Sequence, residues 1–224
     1  TGKIQGLAND TVLVSRQGTE HIIADSAAAI MDDQTGQAVG VVLVFRDQTR
    51  EYATQEALRE RVKELNCLYA IADLIEKEDS LEKILQGSAD VMPNGWFYPE
   101  IACVRIIFEG RQYQTANFRE TDWRQSAGLQ MDGQPVGMID LYYLEERPLR
   151  DEGPFLREER QLINAIAERL RRVAERKQAE IMEKLAHDTL ALLNDPQDTT
   201  DAVASVLQLI KQSMGFEAMG VRLR

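Results

Sequence analysis

The chain has 224 residues, 44% of them hydrophobic and 28% charged, which fits an ordinary globular protein and excludes disordered and collagen-like classes. Its 37 acidic and 26 basic residues give a formal net charge of -11, which disfavours nucleic acid as a partner. Two cysteines fit a reducing compartment, and the longest apolar run, residues 39–45, is far shorter than the roughly 20 residues that cross a bilayer. We therefore expect a cytoplasmic protein with no membrane span.

Residues 11–46 are predicted to form three antiparallel strands. Residues 11–14 and 20–24 flank a turn signal at residues 16–19 and so predict a hairpin. Residues 38–45 are almost continuously apolar, which is typical of a central strand buried on both faces.

A long helix is predicted from Thr49, with Thr49 as its N-cap. Apolar residues recur along this helix at alternating spacings of four and three, which is typical of a heptad seam in paired helices. The seam consists of Leu58, Val62, Leu65, Tyr69 and Ala72. A shorter helix is predicted after the break at residues 79–80, and it ends at residues 93–95.

The next section is predicted to be a four-stranded antiparallel sheet. Its strands are expected in meander order, at residues 101–108, 113–118, 123–129 and 138–144. Another long helix is predicted from Phe155 to about Leu193, with an apolar stripe on one side.

An internal repeat links the two halves of the chain. Residues 100–106 are matched by residues 217–223, and each copy follows a long helix, an acidic break and a shorter apolar helix. Because the second copy stops after its first strand, we expect the chain to be a segment of a longer protein.

The turn and strands of residues 16–45, followed by the Asp47-x-Thr49 motif, resemble the C-terminal half of a PAS domain. In that family the Asp-x-Thr motif is the usual exit into a signalling helix. Residues 137–143 and 153–160 resemble a compact GAF-like domain of bacterial sensor proteins.

The resemblances imply an α+β fold, with antiparallel sheets of PAS and GAF type joined by long signalling helices. The domains implied are half a PAS domain at 1–49, a signalling helix linker at 50–64, a GAF-like domain at 65–170, a connecting helix at 171–184 and a truncated second GAF-like domain at 185–224.

Most candidate chemical groups have a structural interpretation. His187 precedes Asp188, as in the phospho-accepting site of sensor kinases, but the Arg and Pro of that motif are absent, so phosphotransfer is disfavoured. His21 has no second histidine to share a metal and is expected to be solvated or hydrogen-bonded. Cys67 and Cys103 are expected to be small buried hydrophobic residues.

Other charged and aromatic groups are also assigned to structure. The carboxylate pairs Glu145-Glu146 and Glu158-Glu159 are expected on solvated faces. Basic residues of the last long helix alternate with glutamates and are interpreted as flanks of a helix pair: Arg169, Arg171, Arg172, Arg176 and Lys177. Aromatic residues are expected to pack around the sheet, with a ligand pocket as the alternative: Trp96, Phe97, Tyr98, Trp123, Tyr142 and Tyr143.

The predicted functional site is the junction formed by Asp47 and Thr49. Side-chain oxygens there can bind free helical N–H groups and fix the angle at which the helix leaves the sheet. We expect a relay segment of a bacterial signal-transduction protein, such as a two-component system, that forms a homodimer through its helices and has no catalytic site. A small-molecule ligand is possible in principle, and no cofactor is assigned.

Two alternatives remain. The chain could be the regulatory part of a histidine kinase or a diguanylate cyclase, inactive without its catalytic domain. It could also be a purely structural dimerisation module.

Overall fold

The computed structural model describes residues 11–32, 34–193, 206–209 and 211. The chain divides into two compact units, residues 1–63 and 64–224, and each contains an antiparallel sheet. Helices and antiparallel sheets together confirm the predicted α+β class. The predicted second copy of the repeat, at residues 217–223, lies outside the described residues.

The first unit holds a three-stranded sheet in the order β1-β2-β3. Its strands are β1 (Thr11–Val14), β2 (Glu20–Met31) and β3 (Ala38–Asp47). The predicted hairpin is confirmed, although β2 is longer than expected. Gly18 closes the hairpin turn with a φ of 85°, and its N–H donates to the carbonyl of Ser15 at 2.9 Å.

The prediction that residues 38–45 form a strand buried on both faces is wrong. Within the described residues β3 pairs with β2 alone, so it lies at the edge of the sheet. Its side chains are exposed on both faces, as Val41 at 69% and Val44 at 58% show. A run of apolar residues indicates side chains that tend to be buried. It does not show whether another element covers them.

Helix α1 (Thr49–Lys77) begins in the first unit and ends in the second. Helix α2 (Leu81–Val91) follows it, and two short 3-10 turns, Met92–Gly95 and Pro99–Ile101, lead into the second sheet. The break between the helices and the end of the shorter helix lie where the sequence predicts them.

The second sheet has the strand order β5-β4-β7-β6, so the predicted meander order is wrong. Its strands are β4 (Ala102–Phe108), β5 (Arg111–Gln114), β6 (Arg124–Met131) and β7 (Gln134–Tyr143). The hairpins β4-β5 and β6-β7 form as the turns predict. However, residues 115–123 carry the chain to the far edge, so β4 pairs with β7 and β6 does not pair with β5.

One face of this sheet packs against α2 and against α3 (Arg157–Leu193). Side chains at alternate positions of the strands, such as Val104 and Ile106, are completely buried there. Ile163 and Ile166 contribute the apolar stripe of α3 to the same core, as the spacing predicts. No helix within the described residues is long and apolar enough to cross a membrane.

Candidate functional site

The sheet-to-helix junction of the first unit is formed by one carboxylate and the start of α1. Asp47 ends β3, and its Oδ1 accepts a hydrogen bond from the Thr49 N–H at 2.9 Å. An N–H in the first turn of a helix has no partner within the helix, so this carboxylate supplies one. The negative charge also lies at the positive end of the helix dipole.

Thr49 connects the helix to the neighbouring strand. Its Oγ1 accepts a hydrogen bond from the Ile22 N–H of β2 at 3.0 Å, and the Gln48 N–H donates to the carbonyl of Ile22 at 2.8 Å. Thr49 is the first helical residue and binds the strand, so it is not the predicted N-cap. The two predicted residues therefore have different roles, since Asp47 binds the helix and Thr49 binds the sheet.

His21 is a third member of this junction that the sequence did not assign to it. Its Nδ1 lies 3.0 Å from Oδ2 of Asp47, and the two side chains are 37% and 58% exposed. The pairing of Ile23 with Asp47 places His21 two residues away on the same face. Knowledge of the strand register would have been needed to find this contact.

Hydrogen bonds determine the protonation of the junction carboxylate. The pKa of Asp47 is lowered by the Thr49 hydroxyl, by the Thr49 N–H and by His21, in that order of size. Asp47 is therefore ionised throughout the pH range in which a histidine titrates. A second ion pair, between Arg46 and Glu51 at 3.0 Å, lies beside it at the start of α1.

Four of the five residues of the predicted heptad seam of α1 are exposed, and the fifth, Ala72, is half-buried. Four large apolar side chains at alternating spacings of four and three have exposed fractions between 48% and 71%: Leu58, Val62, Leu65 and Tyr69. The other large apolar residues of the helix include Cys67 and Ile71, which are buried in the core of the second unit. Helix α1 thus has one apolar stripe in the core and another in contact with solvent.

The start of α3 is held by a buried carboxylate. Glu159 is only 2% exposed, so the prediction that it lies on a solvated face is wrong. Its Oε2 accepts a hydrogen bond from the Leu156 N–H at 2.6 Å, and its Oε1 accepts from the Phe97 N–H at 2.7 Å and the Tyr143 hydroxyl at 2.7 Å. Glu159 therefore joins α3 to β7 and to the segment that precedes β4.

A second polar group attaches α3 to the sheet. Arg160 donates from Nε to Glu152 at 2.8 Å and from Nη1 to the carbonyl of Ser126 at 2.5 Å. Glu152 also accepts from Gln125 at 3.4 Å, and Gln125 accepts from the buried Trp96 indole at 3.3 Å. Buried polar groups in this network thus have partners, as burial requires.

The other face of the second sheet carries a cluster of charged and aromatic side chains. Arg105 donates to Asp140 at 2.9 Å and to the Tyr142 hydroxyl at 3.2 Å, and it also pairs with Glu120. The ring of Phe118, from residues 115–123, lies 5.1 Å from the guanidinium. Ion pairs and ring contacts between residues of this chain therefore occupy the centre of this face.

The remaining candidates have the following environments. Cys67 and Cys103 are buried, as predicted, and burial raises the pKa of the Cys67 thiol to about 12. Among the basic residues of α3, Arg171, Arg172, Arg176 and Lys177 form ion pairs with glutamates of the same helix. His187 is exposed on α3. Among the described residues no group of three or more His, Cys, Asp and Glu side chains could hold a metal ion.

Comparisons with known proteins find matches among solved structures only. No family model matches the chain, and no curated protein matches it. The crystal structure of a bacteriophytochrome from the photosynthetic bacterium R. palustris aligns with 13% sequence identity and a TM-score of 0.41. The match covers 86% of this chain and 54% of the phytochrome, so this chain spans about half of that protein.

Proposed function

We propose that this chain is a cytoplasmic signal-relay segment of a bacterial signal-transduction protein. Residues 1–49 act as the C-terminal half of a PAS domain, and residues 65–170 act as a GAF-like sensory domain. A change of packing in either sheet is passed through the long helices to an output domain outside this chain. The chain itself performs no chemistry in this proposal.

The hydrogen bonding of the junction is the observation that carries the proposal. Asp47 binds the N-terminus of α1 while Thr49 binds β2, so the strand and the helix share one polar connection. A displacement of β2 relative to β3 therefore changes the direction in which α1 begins. Such a connection transmits a signal when the arrangements of the strands and α1 before and after the displacement differ in their affinity for a ligand or a partner.

The exposed seam of α1 supports a parallel homodimer as the form in which the relay acts. Val62 occupies the core position that favours β-branched residues in parallel two-stranded coils, and Leu58 and Leu65 occupy the position that favours leucine. A second copy of α1 would cover these exposed side chains.

Sedimentation equilibrium at pH 7 tests the dimer. We expect the wild-type chain to be dimeric at micromolar concentration and Leu65→Asp to be monomeric, because a charge in the seam would be buried without a partner. Leu149→Asp is the matched control, since Leu149 is 84% exposed in a loop outside the seam, and this variant should stay dimeric. A monomeric wild-type chain at high micromolar concentration would refute the relay.

A further inference from the structure

The junction carboxylate is shared between a histidine and the first turn of α1. Oδ2 of Asp47 lies 3.0 Å from Nδ1 of His21, while Oδ1 accepts from the Thr49 N–H at 2.9 Å. The orientation of this one carboxylate is therefore set from β2 on one side and from α1 on the other. Any change in the charge of the imidazole acts directly on the group that binds the helix.

Histidine is the side chain whose ordinary pKa lies between pH 5 and 8. When the imidazole is protonated, both ring nitrogens are donors, and a charged donor binds a carboxylate more strongly than a neutral one. The pKa of Asp47 is lowered from its ordinary value, so the carboxylate stays ionised across this range. Protonation of His21 therefore changes a hydrogen bond between a neutral imidazole and a carboxylate into an ion pair.

The surroundings of His21 contain few other charges that could mask this change. Strand β1 places the uncharged Leu13 opposite His21, and β3 places Asp47 on the same face. On β2 itself, Asp25 lies on the same face as His21, four residues further along the strand. At the start of α1, Glu51 is paired with Arg46.

We propose that His21 is a positioning residue of the junction and that protonation of its imidazole makes the exit of α1 from the sheet sensitive to pH. This inference rests on the proposed role of the junction as a relay and names one way of regulating it. When the imidazole is protonated, the ion pair holds the carboxylate and the helix start in one arrangement. When it is neutral, the carboxylate keeps its bonds to Thr49 with a weaker bond from the imidazole.

The pH dependence can be measured at single amides by ¹⁵N NMR. The chain has two histidines, so His21→Gln removes the proposed group and His187→Gln is the matched control. We expect the Thr49 amide resonance to shift when the pH is varied between about 5 and 8 in the wild type and in His187→Gln. In His21→Gln the resonance should not shift over this range.

Hydrogen exchange provides an independent readout of the same event. Protection of the Thr49 amide, corrected for the intrinsic pH dependence of exchange, should be about twofold to fivefold higher at the acidic end, which is the range for an exposed ion pair. Asp47→Asn should abolish this difference while leaving the imidazole in place. Equal protection at both ends in the wild type, or the same titration in His21→Gln, would overturn the inference.

The outcome is separable from the test of the proposed function. Sedimentation of Leu65→Asp depends on the seam of α1 and does not involve His21. A dimeric wild type with a Thr49 amide that does not titrate would refute the role of His21 and leave the relay standing.

Discussion

Both long helices begin at a carboxylate that binds backbone N–H groups, but the two carboxylates differ in their exposure to water. Asp47 is exposed at the start of α1, whereas Glu159 is 2% exposed in the first turn of α3. Water can replace any bond that Asp47 loses, while the Tyr143 hydroxyl, which donates to Glu159 from a buried position, has no such replacement. The exposed junction is therefore adjustable, and the buried one is fixed.

The same difference separates the proposed site of regulation at Asp47 from a site of assembly at Glu159. Asp47, at the end of the edge strand β3, bonds to Thr49 two residues later and to His21 of the neighbouring strand β2. Glu159 accepts from Phe97, which lies 62 positions away in the chain, as well as from the turn before α3. Loss of Glu159 should affect the folding of the second unit, while loss of Asp47 should affect the direction of one helix.

The largest expected effect is that of Glu159→Ala. Its removal leaves the N–H groups of Phe97 and Leu156 and the hydroxyl of Tyr143 without their acceptor, and we expect a loss of at least about 3 kcal/mol in the free energy of unfolding. Urea unfolding followed by tryptophan fluorescence reports this unit, because both tryptophans, Trp96 and Trp123, belong to it.

Glu158→Ala is the matched control for that measurement. Glu158 occupies the same first turn, is only partly buried, and should change the free energy of unfolding by about 0.5 kcal/mol or less. Similar losses in the free energy of unfolding for the two variants would show that the hydrogen bonds of Glu159 do not stabilise the second unit.

A smaller effect is expected for Tyr143→Phe. The substitution removes the hydroxyl that donates to Glu159 at 2.7 Å and keeps the ring that stacks on Phe155, with centroids 4.6 Å apart. Glu159 retains its backbone donors, so we expect a loss of about 1.5 kcal/mol, measured in the same urea experiment.

Tyr142→Phe serves as the comparison for Tyr143→Phe. The Tyr142 hydroxyl accepts a longer bond from Arg105, at 3.2 Å, on the other face of the sheet, and its loss should cost about 0.5 kcal/mol. A cost for Tyr142→Phe equal to that of Tyr143→Phe would contradict the importance given to the buried carboxylate.

The smallest effect is the loosening of the exposed junction in acid. The folded-state pKa of Asp47 is lowered below its ordinary 3.8 by hydrogen bonds from Thr49 and His21, so its stabilising effect is present above 3.8. The effect is lost as the pH falls through the lowered value. We expect faster exchange of the Thr49 and Ile22 amides there, because these donors lie on both sides of the junction.

Asp47→Asn is the control for the acid experiment, and its Thr49 amide should not respond in this window. Asp32 provides an internal standard, since hydrogen bonds from Thr35 and Gln34 lower its pKa within a turn remote in sequence from α1. A Thr49 amide that responds equally in Asp47→Asn would show that another group controls the junction.

Sequence patterns predicted the elements and hairpins of both sheets because turn residues and alternation are local properties. They did not predict the strand order of the second sheet. The segment between β5 and β6 determines that order, and its path depends on long-range bonds such as that from the Thr121 hydroxyl to the carbonyl of Tyr143 at 2.7 Å. They also predicted burial for β3, which the structure places at an exposed edge.

The candidate site was predicted in part. Asp47 and Thr49 were identified because their motif precedes a helix, whereas His21 joins them through pairing with a strand 26 residues away. Glu159 was missed because a capping box usually begins with Ser or Thr, and here Leu156 stands at that position. The position of Glu159, three residues after Leu156, is where a capping box places its glutamate. This spacing was the available sequence signal for its role.

The length of α3 gives its anchored end a mechanical consequence. At a rise of about 1.5 Å per residue, its 37 residues extend about 55 Å from Arg157. A tilt of about 5° at the Glu159 end would move the far end sideways by about 5 Å, roughly one turn of helix, through the geometry of a lever arm. A small change of packing at the sheet that tilted α3 would therefore be amplified along the helix.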